Sequence, residues 1–378
     1  MNKKPGKIKV AVAVSGGVDS SVALALLKKQ GFEVFGVFMH FWSENISGKV
    51  RDNICCSLEA QEDARKVCRK LGVPFYTMNM TLPFKKKVVD DFLDQYENCR
   101  TPNPCVLCNK HIKFGEFIKR ATEMGADFVA TGHYARNPKS EILNSKQIQN
   151  PKSQNTNIIN KLLISKDIAK DQTYFLHQLN KKQLSKIIFP IGKYTKAEVR
   201  ALAKKFNLPT ASKKESQEVC FVPGGNLQKF FEKYLKLKSG DIVDIETKKV
   251  LGKHNGLARY TIGQRKGIGL HGGPWYVVGL DKEENILRVS RNESDFLSNE
   301  LQVKNVNWIS GVCPEFPLKA KCKVRYCSED ANSIIETTNE KNIFRVKFKK
   351  PVRAATPGQY CVFWKGKECL GGGVIQQS

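Results

Sequence analysis

A nearly all-apolar run, Ile8–Val14 (IKVAVAV), leads straight into Ser15-Gly16-Gly17-Val18-Asp19-Ser20-Ser21 and on into a helix-forming stretch, Val18–Gln30, closed by Gly31. A strand without polar alternation needs cover on both faces, which is the condition of a central strand in a parallel sheet. Further segments repeat the alternation. Val34–Phe41 reads as a second buried strand, Leu58–Leu71 as a helix stopped by Gly72, and Phe75–Asn79 as a third strand. Lys85–Tyr96 and Phe114–Met124 read as helices and Phe128–Thr131 as a strand. The pattern predicts an α/β fold with a doubly wound parallel sheet.

Asn137–Lys161 is rich in Asn, Gln, Lys and Ser and reads as a flexible surface insertion. A strand at Leu162–Ser165, a helix at Lys196–Phe206 and a polar stretch at Ala211–Gln217 follow. Beyond Asn285 the segments are short and separated by turn residues: Ile286–Val289, Leu301–Trp308, Ala320–Tyr326, Ile343–Phe348 and Gln359–Trp364. That spacing suits a small antiparallel β-barrel or sandwich. Alternation in Ala320–Tyr326 puts Lys321, Lys323 and Arg325 on one face, suited to RNA backbone or simply to solvent.

The glycine-rich turn lies where an α/β sheet binds ligands, outside the carboxyl end of a strand. Its glycines let backbone N–H groups approach phosphate, and the helix N-terminus adds donors and a favourable dipole. Ser15, Ser20 and Ser21 offer hydroxyls, and Asp19 could orient the loop or help hold Mg²⁺. The Walker signature G-x-x-x-x-G-K-[ST] is missing, so γ-phosphate transfer is not implied. The plainer alternative is a glycine turn with a serine cap. SGGVDSS resembles the PP-loop of the N-type ATP pyrophosphatases, in which a substrate attacks the α-phosphate of ATP.

Lys and Arg outnumber Asp and Glu by 63 to 36, a net +27, which points to a polyanionic partner or else to a Lys-rich solvated surface. No apolar run is long enough to span a membrane, and Met1–Lys9 lacks a signal-peptide pattern, so a cytoplasmic location is expected. Twelve cysteines in such a chain suggest metal binding or sulfur chemistry in preference to disulfides. In Thr101-Pro102-Asn103-Pro104-Cys105-Val106-Leu107-Cys108-Asn109-Lys110, Cys108 sits near a helix start beside Lys110, both of which favour thiolate. Cys220 follows a polar stretch, Glu215–Glu218. Sulfur transfer commonly uses two thiols, one carrying a persulfide and one resolving it. A zinc site on Cys99, Cys105, Cys108 and His111 is the competing reading. Cys55 and Cys56 read as turn or buried residues, Cys68 as core, and Cys313, Cys322, Cys327, Cys361 and Cys369 as packing.

These stretches together resemble the tRNA-specific 2-thiouridylases over nearly the whole chain. The resemblance runs through SGGVDSS, TPNPCVLCNKHIKF (Thr101–Phe114), ATGHYAR (Ala130–Arg136), KDQTYFL (Lys170–Leu176), FPIGKYTKAEVR (Phe189–Arg200), Cys220-Phe221, TIGQRKGIG (Thr261–Gly269), TPGQYCVFW and CLGGGVI. It implies a PP-loop domain, a small central domain and a C-terminal β-barrel that helps grip tRNA, expected at 1–212, 213–284 and 285–378. It implies an ATP site of Ala13, Val14, Ser15, Gly16, Gly17, Val18, Asp19, Ser20, Met39 and Gly132. Asn103, Pro104 and Cys105 would contact the target base. Cys108 would be the nucleophile and Cys220 the persulfide carrier, the two forming a transient disulfide. His133, Lys170, Asp171, Gln172, Arg325, Tyr326 and Gln359 would lie along the tRNA. Many members carry Asp where this chain has Cys105, and the insertion is longer than their hairpin.

The reaction so implied is adenylation of the wobble uridine at oxygen 2 by ATP with Mg²⁺, then sulfur transfer from a persulfide loaded by an external donor, such as a cysteine desulfurase or a relay protein. The uridine would be flipped out of its stack. A monomer is expected. An iron–sulfur cluster on Cys105, Cys108 and Cys220 is the alternative, and the persulfide route is preferred because the resemblance supplies it. An amide-forming synthetase lacks a glutaminase domain here and leaves the cysteines idle. A non-catalytic RNA-binding protein leaves the phosphate loop idle.

Overall fold

The computed structural model describes residues 7–46, 49–52, 57–141, 160–214 and 219–376, with 43–46 and 49–52 as backbone only. Strand β1 (Lys9–Ala13) lies at the centre of a five-stranded parallel sheet, between β2 (Glu33–His40) and Phe128–Ala130, with Phe75–Asn79 and Ile187–Ile188 at the edges. The apolar run is explained by its two faces. Val10 and Val12 pack into one core with helix α1 (Val18–Lys29) and helix α2 (Leu58–Leu71), while Ala11 packs into the other. Cys68 is core as expected: it lies against Gly36 of β2, and burial pushes its thiol up to about 12.

Both helices on the opposite face begin earlier than their periodicity suggests. One runs through Thr81–Phe84, a π-helical Lys85–Val89 and Asp90–Glu97; the other through Pro104–Leu107, a π-helical Cys108–Glu116 and Phe117–Glu123. Pro104 occupies the first turn, where a missing N–H costs nothing. The extra residue of each π turn breaks the 3.6-residue period that marks a helix in sequence.

The expected insertion is tighter at its ends than its composition suggests. Asn137 is buried and donates to the Leu184 carbonyl at 2.9 Å, and Arg136 and Lys193 both pair with Glu141. Its middle, 142–159, lies outside the described residues, as do Cys55, Cys56 and 215–218.

The C-terminal region is a closed six-stranded antiparallel barrel, sealed by pairing of Leu297–Trp308 with Glu368–Ile375. Val303, Cys322, Ile335, Val346, Cys361 and Phe363 fill it with no exposure. Cys369 is also buried, but Cys313 and Cys327 are exposed, so packing does not explain those two. Two strands sit elsewhere than their sequence neighbours imply. Leu162–Leu163 pairs with Glu368 and Cys369 as an added edge of the barrel. Ile286–Ser290 belongs to a four-stranded central sheet, parallel to Gly240–Asp244, with Leu287 and Val289 in that sheet's core.

The expected shared face of Lys321, Lys323 and Arg325 also fails. The strand ends at Lys323, where both lysines approach Asp330 at 3.7 and 3.5 Å, and Arg325 turns inward past the strand's end. Among the described residues no helix is long and apolar enough to cross a membrane.

Candidate active site

The glycine turn is held by its own hydroxyls. Ser20 Oγ accepts from the Ser15 N–H at 3.2 Å and donates to the Gly17 carbonyl at 3.1 Å, which Ser21 Oγ also reaches at 2.8 Å. Gly16 adopts φ +71°, and a Cβ there would stand 2.3 Å from the Ala60 carbonyl oxygen of α2. Gly132 abuts the first turn of α1, where a Cβ would come within 2.6 Å of the Ser20 nitrogen. Gly17, by contrast, has room at the N-terminus of α1, where a Cβ would meet only the Ser15 hydroxyl at 3.5 Å. The backbone is thus packed tightly behind the loop and left bare in front of it, as a phosphate-binding turn requires.

That front is a cleft of about 410 Å³, lined by Ala13 through Ser20, Met39 and Gly132, every residue of the expected ATP set. Phe38, Phe41, His133, Gln172 and three lysines, Lys113, Lys213 and Lys214, are among the other lining residues. Asp19 is not displayed as a metal ligand. Both its carboxylate oxygens accept from Lys196 Nζ at 2.8 Å, and one also accepts from the Tyr134 hydroxyl at 2.9 Å. These bonds tie the loop to Tyr134 and Lys196. Among the described residues no three of His, Cys, Asp and Glu converge as a metal-binding group. The zinc reading fails on direction: Cys99 packs against the central domain's core, while Cys108 is buried in the first domain's.

The Thr101–Asn103 segment is clamped by all three parts of the chain. Its Thr101 N–H donates to the Pro357 carbonyl at 2.9 Å, and Gln359 Nε2 donates to the carbonyls of Thr101 and Pro102 at 2.8 and 3.3 Å. The Thr101 hydroxyl meets that of Thr261 at 3.2 Å. Asn103 ends the loop in extended conformation and Pro104 starts the helix, leaving Cys105 exposed on its first turn and Cys108 buried one turn on. Gln183 Nε2 donates to the carbonyls of Lys110 and Phe114 at 3.0 and 2.8 Å, supporting the π turn. Half-buried Cys220 is anchored by Phe221, which packs on Phe84 and Phe92 of the preceding helix. Cys108 is a buried member of the same apolar cluster against which Cys220 packs.

The residues expected along tRNA divide by exposure. His133 is buried in the cleft wall with Nδ1 on the Thr131 hydroxyl at 2.8 Å, and burial, reinforced by Lys113, holds its imidazole neutral. Asp171 accepts from the N–H groups of Ser165 and Thr173, and Gln172 from that of Tyr134. Arg325 donates to the Ile262 carbonyl at 2.9 Å and to the Thr356 hydroxyl. Gln359 is buried in the clamp. Lys170 is half-buried, and half-buried Tyr326 lies on Phe175 with ring centroids 4.4 Å apart. Lys196, Tyr134 and the three cleft lysines went unread in the sequence. The signal available was the loop's own lack of a cation.

Three domain families match in order: a tRNA methyl transferase HUP domain over residues 8–224, a tRNA methyl transferase PRC-barrel domain over 228–291 and an aminomethyltransferase beta-barrel domain over 298–375. The tRNA-specific 2-thiouridylase 1 of Caldanaerobacter subterraneus is 44% identical over 98% of both chains. The chain belongs to the tRNA-specific 2-thiouridylase family. Other 2-thiouridylases agree over the same span: that of Geobacillus thermodenitrificans is 42% identical over 100% of this chain and 97% of its own, and that of Halothermothrix orenii 43% over 98% and 99%. The 2-thiouridylase resemblance thus extends past the phosphate loop to the clamp and the barrel.

Proposed function

We propose that this chain, a tRNA-uridine sulfurtransferase by family, thiolates the wobble uridine in two steps. ATP enters the cleft with its phosphates on the bare front of the loop. Mg²⁺ fits as a companion of those phosphates, because the one carboxylate at the loop is committed to Lys196. Uracil oxygen 2 attacks the α-phosphorus, and the bond to pyrophosphate breaks with its electron pair leaving on pyrophosphate. The base is presented by Asn103, Pro104 and Cys105. A persulfide on Cys220, supplied by an external donor, then attacks carbon 2 and AMP departs with the oxygen. Cys108 thiolate attacks the Cys220 sulfur, the S–S bond breaks toward the transferred sulfur, and 2-thiouridine leaves behind a Cys108–Cys220 disulfide that a thiol reductant reopens. Lys170 and Tyr326 meet the tRNA, while Arg325 and Gln359 serve it indirectly through the clamp.

The observation that carries this reading is the cleft whose wall is the hydroxyl-braced, glycine-fronted loop. The test is pyrophosphate release with and without a tRNA bearing a wobble uridine. Release should depend on that tRNA and survive Cys220→Ser, whereas thiolation should vanish. Tritiated tRNA thiolated normally by Cys220→Ser would defeat the relay.

A further inference from the structure

The phosphate loop contributes one anion and no cation, and its anion is neutralised by Lys196. A triphosphate placed on it therefore needs positive charge from elsewhere. Lys213 and Lys214 line the cleft from a segment that sequence presents only as a polar stretch. Lys213 is committed: its Nζ pairs with Asp63 of α2 at 2.5 Å and lies 3.9 Å from Glu59. That brace fixes the segment beside Ala60, the residue against which Gly16 packs. Lys214 is exposed, lines the same cleft, and is held at the phosphate-loop wall by its neighbour's brace. Lys113 lies across the cleft beside His133.

We infer that Lys214 binds the β- and γ-phosphates of ATP and holds the pyrophosphate as it leaves, with Lys213 as the positioning residue that braces it. This deepens the adenylation reading and rests on it. As the bond from the α-phosphorus to the bridging oxygen breaks, negative charge grows on pyrophosphate, and the Lys214 ammonium counters it there. In chain order Cys220 lies six residues on, so one segment serves the leaving group of the first step and the sulfur of the second.

Calorimetry on the full chain without tRNA tests it, using magnesium pyrophosphate, ATP and AMP as separate probes. Lys214→Met should weaken pyrophosphate and ATP by about tenfold or more, the loss of one charge-assisted hydrogen bond. AMP, which lacks the contacted phosphates, should bind as before. Lys213→Met should do the same more weakly, with partial recovery in Lys213→Arg, which a purely local packing role would not give. Equal losses for all three probes, or none for Lys214→Met, would overturn the assignment. A wild-type chain that binds neither ATP nor pyrophosphate would instead sink the adenylation reading.

Discussion

Lys196 stands 177 residues from Asp19 in sequence yet spans both of its oxygens. Removing the ammonium would leave a carboxylate facing incoming phosphates, so Lys196→Met should raise the KM for ATP by about tenfold. Lys196→Arg should restore part of it, and an unchanged KM would make the pair incidental. A second residue-scale consequence concerns histidine. Burial holds His111, His133, His177 and His254 below the ordinary 6.5, His111 at about 4 with help from Lys110 and Lys87, and His177 at about 3. Between those values and 6.5 the unfolded chain binds protons that the folded chain refuses. Their contribution is therefore full above pH 6.5 and is lost as pH falls towards 4. Urea midpoints should drop on acidification through that window, less steeply in His111→Asn; a flat profile would contradict the burial argument.

At the scale of elements, the junction of β1, α1 and α2 was legible because each of its constraints is local: an apolar run, a glycine turn, a helix stop. Gly132→Ala tests that junction, since its Cβ would displace the first turn of α1. A cost of about 1–3 kcal/mol is expected, with weakened ATP binding, and a variant of normal stability and affinity would show that the turn yields easily. The cysteine helix was less legible. Pro102 and Pro104 read as loop, and the π turn at Cys108–Glu116 erases the period, so the segment that turns Cys108 inward is invisible without Gln183 and its two carbonyls. The clamp was invisible for a different reason: Gln359 meets Thr101 across 258 residues. Gln359→Leu strands two carbonyls, at about 1–3 kcal/mol. Amide exchange across Thr101–Val106 should quicken while tRNA affinity holds. Lost affinity with unchanged exchange would return Gln359 to the tRNA surface.

Across the whole molecule, a net charge of +27 should give tRNA binding a steep salt dependence, since each neutralised phosphate releases counterions. A shallow slope of affinity against salt would mean the excess lysine is merely solvating. The barrel is not a detachable tail. Tyr360, Val362, Trp364 and Cys369 share one core with Leu162, Tyr174 and Leu176, and Trp364 donates to the Thr173 hydroxyl at 3.2 Å. A chain ended at Ser294 should therefore be insoluble or melt far below the full protein; a stable truncation would show the parts to be independent. Edge strand Leu162–Leu163 adds a matter of timing. Its partner lies far downstream, and at about 5–20 residues per second roughly 200 residues must follow it from the ribosome, a wait on the order of 10–40 s. Throughout that interval the nascent chain carries an uncapped apolar edge, an invitation to the wrong neighbour, until Glu368–Ile375, its partner among the described residues, arrives to close it.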